Sequence, residues 1–206
     1  MLARMAYPTP EFMCAAIERW WNAIRDTVDD LLHRYAPAGG EETRRLPRME
    51  VSALSTALGI FEAMMRRMLV IMAAELGPAP APEGLPRLLF RIDECPPEPV
   101  IRQSPAGDPD YLLKPPPARA LPHRDQNTDG LASTAGILRR LRALAHVYDH
   151  GEAYLAALRA RLCAPLKPLP TPPPDAFTDR ALLPEQTTRF LDLHEVALEA
   201  QIYDSS

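Results

Sequence analysis

Where proline falls limits this chain more than any other feature. It has 206 residues and 24 prolines, of which 13 lie between Pro78 and Pro122 and six between Pro165 and Pro174. Proline removes a backbone donor, clashes with the preceding helical turn, and pushes the residue before it out of the helical region. Residues 78–130 are therefore expected to hold no helix longer than about two turns. Residues 165–182 should form a second stiff linker. Helices are left with the three stretches outside these clusters.

Apolar periodicity fills those stretches. In 9–35, Met13, Ile17, Trp20, Ile24, Val28, Leu31 and Tyr35 recur at steps of three and four, the mark of one buried helical stripe. Thr9 is the expected N-cap, with Pro10 at the first helical position. In 47–77, Leu54, Leu58, Phe61, Met65, Met68 and Met72 form one row, flanked by Met64, Leu69, Ile71 and Leu76. A helix apolar over so much of its girth needs neighbours on several sides. Gly77 before Pro78 supplies a left-handed stop. In 131–164, Leu138, Leu141, Ala145, Tyr148, Leu155, Leu158 and Leu162 keep one phase. The last helix, from Pro184, has Phe190, Leu191, Ala197, Leu198 and Ile202 as its apolar set.

The expected class is all-α: a small bundle of four to five amphipathic helices with two proline-rich, largely irregular connectors. In chain order this gives a helical hairpin core (9–77), a proline-rich extended segment (78–130), a helix or kinked helical pair (131–164), a proline-rich linker (165–182) and a C-terminal helix (183–206). The 131–164 segment has five arginines against Asp149 and Glu152, and the region from 175 onward is acidic. That complementarity predicts the two as neighbours, although each surface pair adds little.

Several function classes are disfavoured. A net charge of −4 predicts no bulk attraction to nucleic acid or anionic lipid. Lys114 and Lys167 are the two lysines; abundant Ala, Pro, Leu and Arg beside scarce Lys matches GC-rich bacterial codon use. Cys14, Cys95 and Cys163 have neither disulfide-framework nor zinc spacing, and a free helical Cys is expected to be a small buried residue. "MLARMAYPTPEF" contains no apolar run of signal-peptide length, so a cytoplasmic chain is expected. The charge-free run Val51–Phe61 is far shorter than the roughly 20 residues of a spanning helix. No GxSxG, P-loop, GxGxxG or HExxH motif is present, and no cofactor is expected.

"HVYDHGE", residues 146–152, is the one chemically suggestive stretch. On a continuous helix His146 and His150 share a face, a spacing that can hold zinc or iron, with Asp149 or Glu152 supplying oxygen and His194 completing the set. A simpler account is punctuation. Asp149 and Glu152 fit a capping box, and Gly151 weakens the helix by about 1 kcal/mol relative to Ala, so a turn or kink is expected at 149–151.

The other candidates are contact surfaces. Arg139, Arg140 and Arg142 could meet phosphates or a peripheral membrane surface, but no aromatic platform interleaves with them. A solvated face paired with the acidic tail accounts for them more simply. Met64, Met68 and Met72 belong either to the core or to an adaptable binding face. Trp20 and Trp21 point about 100° apart; one is expected in the core, the other as an anchor for a partner. "RLLFRI" (87–92) is expected to dock as a strap with Phe90 as anchor, while "DYLLKPPPAR" (110–119) is a linker or a docking peptide. Together these features predict a non-enzymatic cytoplasmic helical interaction module that binds another protein or itself. The alternatives are a metal-binding helical enzyme or sensor and a membrane- or nucleic-acid-associated protein.

Overall fold

The computed structural model describes residues 6–36, 44–92, 130–163 and 184–203. Five helices are seen there: α1 (Glu11–Tyr35), α2 (Arg48–Glu75), α3 (Ala135–Asp149), α4 (Gly151–Leu162) and α5 (Pro184–Ile202). A ribbon of β1 (Arg45–Pro47) and β2 (Leu131–Ser133) accompanies them, and the class is all-α as expected. The expectations for "DYLLKPPPAR", the 165–182 linker, Cys95 and the prolines beyond residue 92 lie outside the described residues.

The most apolar helix takes the centre. Leu58, Met65, Met68, Leu69 and Ile71 of α2 are wholly buried, and α2 touches each of the other four helices. Each such side chain stabilises the fold by about 1.5–3 kcal/mol relative to exposure. The α1 stripe buries Met13, Ile17, Ile24, Val28 and Tyr35 as its periodicity predicts. Its principal neighbour, however, is α3 rather than α2. The expected hairpin of the first two helices is therefore not the main contact, because α4 and α5 occupy much of the surface of α2 and α3 offers α1 a second apolar row. Likewise α5 packs chiefly on α2, not on the arginine-rich α3–α4 pair, so charge did not decide its neighbour.

Helix starts differ from expectation by one residue. Pro10 and Pro47 occupy the N-cap positions of α1 and α2, with no side-chain cap, and the Thr9 hydroxyl is buried without a hydrogen-bond partner. The Pro10 carbonyl instead accepts the N–H groups of Met13 and Cys14. The stop after α2 follows the sequence: Gly77 has φ +75°, and its carbonyl accepts Arg159 Nε at 2.6 Å.

The ribbon was not foreseen. β1 and β2 pair antiparallel with Leu46 opposite Ala132, so residues 131–133, expected as helix, are strand. The pairing joins the starts of α2 and α3. Arg48 N–H donates to the Gly130 carbonyl, and the Thr134 N–H and hydroxyl both donate to the Arg44 carbonyl.

Residues 78–92 contain no helix and run over α2 and α4 as a strap. Ala79 N–H reaches the Arg159 carbonyl, and Arg66 Nε donates to the Arg91 carbonyl at 2.9 Å. Phe90 and Ile92 are buried while Leu89 is exposed. Phe90 sits under the Arg66 guanidinium, 4.9 Å from ring centroid to Cζ, and edge-on to Tyr154. It is the anchor that the sequence suggested.

Candidate functional site

The histidine stretch is a helix junction. α3 ends at Asp149, His150 links the helices with φ −131°, and α4 begins at Gly151. The break falls where the sequence placed it, but the capping box does not form: His150, not Asp149, is the N-cap, and no side chain caps α4. His146 and His150 lie with ring centroids 4.1 Å apart. His146 Nδ1 is 2.9 Å from the Tyr154 hydroxyl, which itself accepts the Phe90 N–H at 3.0 Å. Tyr154 thus links the strap to the helix junction. Burial, then the adjacent His150, push the His146 pKa down, with Asp149 opposing. Burial likewise raises the pKa of the Tyr154 hydroxyl.

His194 does not join this pair. It sits on α5 against α2, where its Nδ1 accepts Arg67 Nε at 3.2 Å. Arginine donates only, so that lone pair is engaged. Among the described residues, no group of three or more His, Cys, Asp or Glu side chains is placed to hold a metal ion. The three-histidine set proposed from sequence is thus divided between two interfaces.

Arg67 is the residue that sequence reasoning missed. It is wholly buried, gives an Nη1 hydrogen bond to the Ala63 carbonyl at 2.8 Å, and covers the Phe190 ring at 4.8 Å. Its position inside the apolar run "MMRRMLVIM" was the available signal: a charge there must either interrupt the core or be satisfied within it.

The arginine triplet also divides. Arg140 makes a fork onto Glu62 (Nε–Oε1 2.7 Å, Nη2–Oε2 3.1 Å) and bonds the Ser55 carbonyl and hydroxyl. It ties α3 to α2 rather than to the acidic tail, and Arg139 and Arg142 remain exposed. Cys14 and Cys163 are exposed, against the expectation of burial.

The predicted contact residues fall into two sets. Met68 and Phe90 are in the core and cannot meet a partner. Trp20, Trp21, Met64 and Met72 are each half-buried and line clefts. Trp21 stacks edge-on against Tyr148 at 4.9 Å, and its carbonyl accepts the Tyr148 hydroxyl. With Met72 it lines a cleft of about 350 Å³ between α1 and α2. Neither tryptophan is fully buried, so the expected division into one core and one surface residue is not observed.

Trp20 lines two adjoining clefts. It faces the seam between α1 and α5, where two clefts of about 270 and 260 Å³ share Trp20 and Arg189. Ile60, Phe61, Met64 and Phe190 form the apolar wall of the first. Phe12, which lines the second, is 64% exposed. No helix among the described residues is long and apolar enough to cross a membrane. Compared with known proteins, the chain matches no family model, no curated protein and no solved structure.

Proposed function

We propose that this chain is a non-enzymatic, cytoplasmic helical protein–protein interaction module — an adaptor, regulator or scaffold — and that the α1–α5 seam is its contact surface. One observation carries the proposal: Trp20 stands at the junction of an apolar-walled cleft and a second cleft of mixed apolar and charged lining, with the exposed Phe12 at one end. Contiguous exposed apolar surface marks interaction sites, and tryptophan is enriched among residues that dominate binding. Of the other anchors considered, Met68 and Phe90 already serve the core.

A photoreactive amino acid at Ala23, which lines the first cleft, tests the proposal in native lysate, with the exposed Arg139 position on α3 as control. The expected result is one discrete adduct from position 23 and none from 139. Equal labelling at both positions, or no adduct at 23, would remove the seam as the contact surface.

A further inference from the structure

We infer that the partner seated in the α1–α5 seam is an amphipathic helix whose apolar face is flanked by carboxylates. This rests on the seam being the contact surface proposed above and adds the chemistry of what it accepts. Three features specify that chemistry: the length of the seam, the kind of recognition its walls permit, and its charge.

The two clefts lie end to end along α1. Phe12, Ala16 and Trp20 line one, while Trp20, Ala23 and Thr27 line the other. These residues recur at steps of three and four, so they form one face of α1 beside its core stripe. From Phe12 to Thr27 the helix rises about 22 Å, the length of a partner helix of about 15 residues. Ala16 and Ala23 flank Trp20 at its previous and next turns, so the surface dips on either side of the indole and a neighbouring backbone can come close.

The walls are helices, whose backbone groups bond within the helix. An extended peptide would find no strand edge to pair with in this seam. Recognition must therefore come from side chains entering the clefts, and a helix presents its anchors at i, i+3, i+4 and i+7, matching a row of adjoining clefts.

Arg19 and Arg189 line the seam. Among the described residues, neither side chain makes a hydrogen bond or an ion pair. Asp192 lines the same cleft and offsets one of them, leaving the lining net positive. Elsewhere the arginines facing apolar packing are satisfied: Arg140 by Glu62 and Ser55, Arg67 by Ala63 and His194. Carboxylates flanking the apolar face of an incoming helix complete the pairs that the seam leaves open, and they set specificity and on-rate more than raw affinity.

The test uses the full chain and two synthetic fluorescein-labelled helical peptides of about 16 residues. Both carry leucines at i, i+3, i+4 and i+7; one has glutamates flanking this face, the other lysines. By fluorescence anisotropy the glutamate peptide is expected to bind at least about tenfold more tightly than the lysine peptide. The double variant Arg19→Glu/Arg189→Glu, at exposed positions and checked for unchanged helical circular dichroism, should reverse that order. Equal binding of both peptides, no binding of the glutamate peptide, or an unchanged order in the variant would each overturn the inference. So would a homodimer of the wild-type chain, seen by sedimentation equilibrium, that the double variant dissociates, since a second copy would then occupy the seam. If the Ala23 probe captures a partner but the glutamate peptide fails, the seam stands as a contact surface and the acidic-helix inference falls. If the Ala23 probe captures nothing, the surface itself falls.

Discussion

α5 meets its two neighbours in opposite ways. Against α2 it buries Phe190, Leu193, Ala197 and Ala200 together with a polar pair, Arg67 and His194. Along α1 it leaves two clefts with Trp20 between them. Side-chain size and polar satisfaction explain the contrast. Alanines at 197 and 200 let the α2 and α5 backbones approach, and the buried guanidinium has acceptors and an aromatic face. On the α1 side the indole and the Arg189 side chain stand in the seam, and close packing is not reached. One interface is closed by packing; the other leaves the two clefts proposed above as the contact surface.

The closed interface should be the most sensitive. Arg67→Ala removes the donor to His194 and leaves a cavity under Phe190, and should cost about 3–5 kcal/mol in a urea titration. Arg67→Met, which keeps most of the volume without the charge, should cost clearly less. A loss below about 1 kcal/mol for the alanine variant would mean that Arg67 does not close the α2–α5 contact.

The strap comes next. Phe90→Ala should cost up to about 3 kcal/mol, confined to the strap's docking. Protease should then cut within residues 80–92 while helical circular dichroism stays near wild type. Unchanged resistance there would show that Phe90 is not the anchor. Tyr154→Phe keeps the ring but loses the hydroxyl shared by Phe90 N–H and His146. It should cost about 1–2 kcal/mol, read in the same titration.

A smaller effect depends on pH. His146 is held below its ordinary value of 6.5 by burial and by His150. A folded-state value below the unfolded one means that folding favours the neutral imidazole. Its contribution is complete above the ordinary value and is lost as pH falls through it. The melting temperature should therefore fall between about pH 7.5 and about pH 5, and fall less in His146→Gln. An identical fall in the variant would remove His146 as a source of the dependence.

Much of the fold was legible because burial obeys period. The α1 stripe, the all-round apolar character of α2, the Gly77 stop and the break after Asp149 each follow from residues within a few positions of one another. What was not legible depends on residues distant in the chain. β1 and β2 are three residues each, β1 ends in Pro47, and their pairing spans residues 45 to 133. The apolar set read for α5 included Leu191 and Ile202, yet both are exposed, while Leu193, Val196 and Ala200, outside that set, are buried. There His194 meets Arg67 of α2, a contact that no local pattern reports. The candidate site was partly visible for the same reason. Trp20 and Met64 were singled out by residue type, but the seam they line exists only once α5 is placed, and Arg189 carries no local signal at all.

The direct test of the contrast is Trp20→Glu, with stability and partner capture measured on the same sample. Trp20 is half-buried at an open seam, so the melting temperature should fall by only a few degrees, consistent with a loss of about 1–2 kcal/mol. Capture of the partner by the chain from native lysate should be abolished. Capture retained at the wild-type level would contradict the account, as would a collapse in stability comparable to that of Arg67→Ala, because Trp20 would then belong to the core that holds the bundle and not to the surface that binds.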